Sequence, residues 1–526
     1  MKRKILSLLL ATSMLAACLT GCGNETKEYS ETQAVSNSTE ESKQSEVASQ
    51  PAEEELEYVE LNWLCRADGG NNDVDLIQEA LDEYFLEKLN CKVNFLHTKN
   101  YSEVVDTQLL AGDDLDLVYV YARDYSGLAK QGVFEPLDEY WEYGPNVKAM
   151  VSEDIWGCMT VDGHAYAVPT LRDNAYIMSA VYNNTLATKL GLDIEKDSQN
   201  WSSMKDVADY AIKAIKIRDE KFPEYKGKPL MSKYTGPVPY YYAFEQLSGN
   251  LAGCNVSGLE VDATKGKDTV FSFYETEAYK EYALTQLELA NSGVIDFELT
   301  SPDRNEYTLF QPGWGYTWIS EDLYGLGYET KLAVFEDSLW TDGASYTVTA
   351  TAIASASKNP ERAMMVLDAL CSDPYLATLL RFGVEGIHWE RDAEGKMQLA
   401  GRNLDAQNRG WLSWFGNHHP NLHIAEAPES YSGPDNIMLK KMNEYVSDAT
   451  VASHMGFVFN TDAVANEIAA CNNVIAEYNG LDIGAYGTEE ATLKAVDEFV
   501  AKLKANGLDK IIAEVQAQVD AWVAAR

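Results

Sequence analysis

The amino-acid sequence predicts an α/β protein built from at least two lobes, and three features carry that prediction. The chain has 526 residues, beyond the size at which one hydrophobic core stops growing. Its body opens with strand and helix patterns in alternation, which implies a parallel sheet flanked by helices. Its last stretch, Glu489 to Trp522, has the spacing of amphipathic helix, divided at Asn506-Gly507.

Each element follows in order. Lys2, Arg3 and Lys4 form a positive start, and Ile5 to Leu19 an apolar run too short to span a bilayer comfortably. Small residues then precede a cysteine twice, at Cys18 and Cys22. Both resemble the bacterial lipobox, in which the cysteine receives a lipid and becomes the new N-terminus. Cys22 is preferred, because Gly21 precedes it and a long polar segment follows; Cys18 is the alternative. From Asn24 to about Glu55 the chain is Glu, Ser, Gln, Thr and Ala with almost no large apolar residue, which reads as a tether.

The body begins near Glu57. Tyr58 to Leu64 reads as a strand, and the turn Asp68-Gly69-Gly70-Asn71-Asn72 follows. Val74, Ile77, Leu81 and Phe85 then recur at helix spacing. Cys91 to Leu96 is the next strand, Ser102 to Ala111 the next helix, and Asp116 to Val120 a buried strand. In such sheets ligands bind outside the carboxyl ends of the strands. The loops after Leu64 and after Val120 are therefore the first candidate sites. Further on, Trp314 to Ile319 and Tyr346 to Ile353 read as strands, and Pro360 to Leu370 as a helix with proline at its start.

Composition narrows the function. The formal charge of -40 repels nucleic acid and anionic headgroups and excludes a nucleic-acid binder. Acidity of this kind also serves solubility alone. Cys65, Cys91, Cys158, Cys254, Cys371 and Cys471 are scattered without CxxC spacing, and at this size they read as buried single thiols.

Four segments in order then resemble the sugar-binding family of extracellular solute-binding lipoproteins that serve ABC importers. Asp116-Leu117-Val118-Tyr119 continues through Gly132-Val133-Phe134-Glu135-Pro136-Leu137, like the strand, loop and turn of that family's first lobe. Gly163-His164-Ala165-Tyr166-Ala167-Val168-Pro169 resembles its approach to the hinge, with Tyr182-Asn183 following. Ser357-Lys358-Asn359-Pro360-Glu361-Arg362-Ala363 resembles a helix start late in the fold. Gly456-Phe457, Glu467-Ile468-Ala469-Ala470 and Asn472-Asn473-Val474 resemble a C-terminal domain of uncharacterised role in one subgroup, associated with oligosaccharide uptake in Gram-positive bacteria.

The resemblance implies a periplasmic-binding-protein-like type II fold, with two α/β lobes closing over a ligand at a hinge and extra C-terminal helices. It implies a signal peptide over 1–22, a polar tether over 23–56, and a first lobe over 57–168 and 312–356. The second lobe is expected over 169–311 and 357–455, and the C-terminal helical region over 456–526. It further implies a carbohydrate ligand, an importer permease as partner, a monomer lipid-anchored at the extracellular face, and no cofactor.

A sugar offers hydroxyls at its rim and C–H groups on its faces, so its binder needs polar side chains and aromatic rings. Charged groups give the stronger hydrogen bonds, and the chain holds 11 Trp, 31 Tyr and 15 Phe. By position in the resembled family, Arg66 and Asp68 follow strand one, and Tyr121, Arg123 and Asp124 follow the third strand. Arg172 and Asp173 lie just beyond the hinge approach, and Tyr240 and Tyr241 fall in the second lobe. Trp314, Tyr316 and Trp318 alternate onto one face of a strand, with Trp318 favoured for stacking. Trp389 and Trp411 complete the set; the aromatic-dense Trp411 to Phe415 reads equally as stacking platform or packed loop.

Three rivals stand beside this reading. A surface glycoside hydrolase needs only two carboxylates, but 82 acidic residues make such pairs uninformative, and no G-x-S-x-G or H-E-x-x-H occurs. His418, His419, His423 and Glu426 lie close enough to suggest a metal, but Pro420 interrupts a helix there. A peptide or another polar solute is the third, since fold does not decide ligand.

Overall fold

The computed structural model describes residues 56–67, 72–98, 101–121, 125–172, 174–231, 245–247, 254–256, 268–297, 306–313, 328–404, 410–411, 419–426, 428 and 446–526. The opening alternation forms as β1 (Val59–Arg66), α1 (Val74–Leu89), β2 (Cys91–Thr98), α2 (Tyr101–Ala111) and β3 (Leu117–Tyr121), followed by α3 (Tyr125–Lys130) and β4 (Ala167–Pro169). β2 and β3 lie parallel to β1 on its two sides, with β2 in register from Val59↔Cys91 to Arg66↔Thr98. α1 buries Ile77, Leu81 and Phe85, one residue per turn on one stripe. It stops at Asn90, whose left-handed φ of 44° lets its N–H reach the Phe85 carbonyl.

The chain then builds a second lobe from β5 (Tyr176–Asn183), α4 (Asn184–Leu190), α5 (Met204–Lys221), β6 (Glu245–Gln246), β7 (Cys254–Val256), β8 (Val270–Ser272), α6 (Glu277–Ser292), β9 (Phe310–Gly313) and β10 (Thr330–Thr341). It returns through β11 (Thr349–Ile353), α7 (Pro360–Ser372) and α8 (Pro374–Phe382). β12 (Thr450–Val451) and the helices α9 (Ala465–Glu477), α10 (Glu489–Ala505) and α11 (Leu508–Ala524) end it. The first-lobe sheet has the order β2-β1-β3-β11-β4, and the second-lobe sheet β9-β5-β10-β12.

Two large cores mark the lobes. One unites Leu61, Trp63, Phe85, Val118, Ile353 and Leu367; the other unites Tyr182, Ala208, Leu230, Leu289 and Phe310. These cores correct two expected boundaries. Residues 312–356 do not return to the first lobe together: β10 stays in the second-lobe sheet, and β11 crosses back. Nor does the chain leave the first lobe at 357, since α7, α8 and Trp411 bury their apolar sides in the first core. The expected strand Tyr346 to Ile353 begins at Thr349, after a short helix, Gly343–Thr347, capped by Asp342 through the Ser345 N–H at 3.0 Å.

A third core joins Phe457, Cys471, Phe499, Leu503, Ile511 and Val519 to Leu247, Val270, Phe273 and Tyr279. The expected break between the last two helices falls as predicted, with Gly507 at φ 104°. All six body cysteines are buried thiols, two in the third core and three in or against the first. Cys18, Cys22, the signal segment and the tether lie outside the described residues.

Candidate functional site

The strand ends that should hold a ligand are positioned by the first-lobe sheet. Arg66 ends β1, opposite Thr98 of β2, and the next N–H, of Ala67, donates to the Thr98 carbonyl at 2.9 Å. Tyr121 ends β3, paired with Thr349 of β11. Asp68, Arg123, Asp124, Asp173, Tyr240, Tyr241, Trp314, Tyr316 and Trp318 lie outside the described residues, as does His418.

Among the described residues an outward crossover and a returning one run between the lobes beside these ends, and one side chain laces them. Asn174 accepts the Arg172 N–H at 2.6 Å and donates to the Ser345 carbonyl at 2.9 Å, tying the outward crossover to the returning one. Thr341 donates to the Asn174 carbonyl and meets the Ser345 hydroxyl at 3.0 Å. Thr170 N–H donates to Thr349 O at 2.9 Å. Backbone bonds from Leu171 to the Pro420 carbonyl and from Leu422 to the Leu171 carbonyl add a third segment. Thr170, Arg172, Asn174, Thr341, Ser345 and Thr349 are all buried, so their polar groups have no water to fall back on, and the network holds the two crossovers together.

Arg172 sits in this hinge, nearly enclosed, and its carbonyl accepts from His423 Nε2 at 2.6 Å. That bond assigns the proton to Nε2. His419 accepts the Asn421 N–H on Nδ1 at 2.9 Å, and burial pushes its pKa down to about 3, so it is neutral. Glu426 receives a bidentate Arg391 at 2.7 and 2.8 Å. Of the residues considered for a metal, the three that are described, His419, His423 and Glu426, are therefore each engaged by a different neighbour.

For Trp389 and Trp411 the expectation of a ring face offered to a ligand is corrected. Trp411 is fully buried, stacked on His97 at 5.6 Å, and its indole N–H donates to the Leu380 carbonyl at 3.0 Å. Trp389 is 6% exposed, with its N–H on the Gly383 carbonyl at 2.8 Å and the Arg391 guanidinium over its ring. Trp389 packs in a small core with Phe382 and Met397, and Trp411 in the first core.

Sequence reasoning missed a clamp behind the first loop. Asp73, at the N-terminus of α1, does not cap its own helix. Its carboxylate instead receives His388 Nε2 at 3.3 Å and Arg402. His388 Nδ1 accepts the Val384 N–H at 2.9 Å, and burial holds this histidine below its ordinary pKa. The N–H groups of Asn72 and Asp73 both reach the Gly410 carbonyl, at 2.8 and 2.9 Å. Only the spacing of Asp342 and Ser345, a helix-start pattern, offered a readable trace of the hinge; the Asp73 clamp joins residues over 300 positions apart.

Comparisons with known proteins bear on this arrangement. Residues 70–375 match the family described as bacterial extracellular solute-binding protein, and residues 453–524 match a domain of unknown function. A protein of Streptococcus pneumoniae serotype 4, named carbohydrate ABC transporter substrate-binding protein, is 25% identical over 473 residues, covering 83% of this chain and 86% of its own. The crystal structure of the N-glycan transport solute binding protein of S. pneumoniae in complex with Man1GlcNAc superposes with a TM-score of 0.71 at 20% identity. It covers 89% of this chain and 100% of that one. An alginate-binding protein superposes at 0.58 with 17% identity, covering 88% and 98%. These likenesses establish the fold as periplasmic-binding-protein-like type II, with extra C-terminal helices.

Proposed function

The chain belongs to the bacterial extracellular solute-binding protein family, and from that premise we propose that it captures an oligosaccharide between its lobes and delivers it to an ABC importer permease. The observation that carries the reading is the pair of separately cored α/β lobes whose outward and returning crossovers are laced at Asn174. Such a body changes shape by bending at the crossovers, and a ligand touching both lobes stabilises the closed form. Nothing in this cycle requires bond-breaking.

Carbohydrate is favoured within the class by the near full-length likeness to a streptococcal protein named for carbohydrate uptake and by the superposition on an N-glycan receptor. The proposed contacts are Arg66, Asp68, Tyr121, Arg123, Asp124, Arg172, Asp173, Tyr240, Tyr241 and Trp318. Charged groups among them serve the sugar hydroxyls, and the rings serve its faces. Trp389 and Trp411 are not among them, because each ring is packed in a core and its N–H is taken by a backbone carbonyl. The receptor acts as a monomer held at the outer membrane surface through lipid on Cys22, or on Cys18.

Isothermal titration of the body against mono- and oligosaccharides, including Man1GlcNAc and Man5GlcNAc, with peptides as controls, tests the ligand. A saturable response to one glycan class, with the glycan recovered intact, is expected. Recovery of cleaved glycan, or binding of peptides alone, refutes it. Cys22→Ser should release the protein into the medium; retention of that variant, with release by Cys18→Ser, selects the alternative.

A further inference from the structure

The C-terminal helices touch both lobes. To the second lobe they are joined by a hydrophobic core. Phe499 packs on Tyr274 and Tyr279 with ring centroids at 5.0 and 5.9 Å. α6 takes part in two cores at once, placing Tyr279, Tyr282 and Ala283 in the third and Leu289 in the second. His454 is buried against Glu245 of β6 at 3.0 Å and faces Asp268 at 3.2 Å, with the Trp522 ring stacked on it at 5.9 Å. Gln516 accepts the Val270 N–H at 2.7 Å, and Lys504 pairs with Glu275 at 2.6 Å. A shared core of this kind makes the domain move with the second lobe.

Contact with the first lobe is of another kind. It falls on the short helix Glu153–Cys158, whose Trp156 belongs to the first core. Two glycines meet there: a Cβ on Gly157 would lie 3.1 Å from the Gly456 Cα, and one on Gly456 3.1 Å from the Asp154 carbonyl oxygen. Gly456 has φ 93°, which side chains rarely adopt. Around this backbone contact lie the Cys158 sulfur, 3.5 Å from the Met455 sulfur, and a polar latch. Arg526 stacks over Trp522 at 4.3 Å, donates to the Met455 carbonyl and pairs with Asp154. At the far end Lys130 of α3 reaches Asn460 at 2.9 Å and Asp462 at 3.2 Å. The contact is next to the hinge, because Cys158 and Met455 pack with Leu171 of the outward crossover and Tyr346 of the returning one.

We propose that the C-terminal domain is a hinge brace: it rides on the second lobe, bears on the first through the Gly157–Gly456 contact, and limits how far the lobes separate. This rests on the reading of the protein as a two-lobed receptor. At Gly157 and Gly456 the backbones meet with no side chain between them and form a bearing point, flanked by the Cys158 sulfur, which accepts the Gly456 N–H at 3.2 Å, while the Arg526–Asp154 and Lys130–Asp462 pairs set the end of travel. Restricting the open ensemble raises affinity, because less freedom is lost on closure.

The test uses the whole chain downstream of the signal segment, spin-labelled at Glu87→Cys in the first lobe and Lys196→Cys in the second, both exposed. Interlobe distance distributions of the sugar-free protein are compared with those of Arg526→Gln, which opens the latch, and Gly157→Val, which wedges the bearing. Lys494→Gln, breaking an exposed pair with Glu498 on α10, is the control. Broadened or shifted distributions in both variants and none in the control are expected, with a Kd for Man5GlcNAc weakened about twofold to fivefold by Arg526→Gln. Arg526→Gln lies at an exposed end, so it decides the matter even where Gly157→Val does not fold. Unchanged distances overturn the brace, and so do changed distances with an unchanged Kd. Failure of the parent protein to bind Man5GlcNAc counts against that glycan, and the distances still decide the brace.

Discussion

Replacing Trp411 with alanine should cost stability and spare capture. The ring is fully buried, stacked on His97, tilted against Phe95 at 6.1 Å, and bonded through its N–H to the Leu380 carbonyl. Truncating a buried tryptophan costs about 3–5 kcal/mol, and the orphaned carbonyl adds about 1 kcal/mol. Unfolding entropy of about 2.1 cal/mol/K per residue turns a loss of about 5 kcal/mol into roughly 5 °C if the body melts as one, and over 10 °C if the first lobe melts alone. Trp411→Phe, which keeps most of the bulk, should lose about half as much. Differential scanning calorimetry measures the first quantity, and titration with the glycan selected by the panel, at 15 °C, measures the second. A Tm within a degree of the parent, joined to a tenfold loss of affinity, would refute the packing role and restore Trp411 to the cleft.

Three further outcomes are expected. Arg218 is wholly buried, bridging Asp219 and the carbonyls of Tyr225, Lys228, Pro229 and Tyr307; Arg218→Met should destabilise the second lobe by about 3–5 kcal/mol, read by urea unfolding. Asn174→Ala leaves the Arg172 N–H and the Ser345 carbonyl unpaired in the hinge and should cost about 2–4 kcal/mol; an unchanged midpoint would show that the two crossovers hold without it. Acid should destabilise the fold before its carboxylates titrate. Burial lowers His97 to about 4 and His419 to about 3, so the stability tied to their neutral forms is complete above about 6.5 and is lost progressively as pH falls from there to those values. Each contributes at most on the order of 3–5 kcal/mol. His454 runs the other way: burial lowers its pKa, but Glu245 and Asp268 outweigh burial and raise it, so its contribution fades as pH rises. Melting temperatures from pH 7 to pH 4 should therefore fall, and fall less in His97→Phe.

Much of the fold was legible because its elements announce themselves locally. β1, β2, β3 and α2 fall within about two residues of their predicted spans, and α1 starts at Val74 and runs four residues past Phe85, since Ile77, Leu81 and Phe85 or Leu61 and Trp63 reveal a buried face by spacing alone. Lobe membership was not legible. Periodicity tells which side of α7 is buried, in Met364 and Leu367, and not which sheet lies against it. The aromatics misled for a related reason: a tryptophan suited to stacking on sugar is equally suited to filling a core, and Trp389 and Trp411 do the latter. The hinge lacing was hidden because Asn174 and Ser345 stand 171 positions apart.

The six buried thiols have a practical consequence. Burial pushes Cys91 up to about 11 and Cys158 and Cys254 up to about 12, so almost no thiolate exists at neutral pH and alkylating reagents should find little to attack. The fold needs no oxidant to assemble its described residues. Each cysteine thus becomes a fuse placed in a known compartment: Cys65, Cys91 and Cys371 report on the first lobe, Cys254 and Cys471 on the C-terminal core, and Cys158 on the seam between them. Pulsed alkylation with peptide mapping, during gentle warming, would show which compartment opens first in the native protein, with no label added.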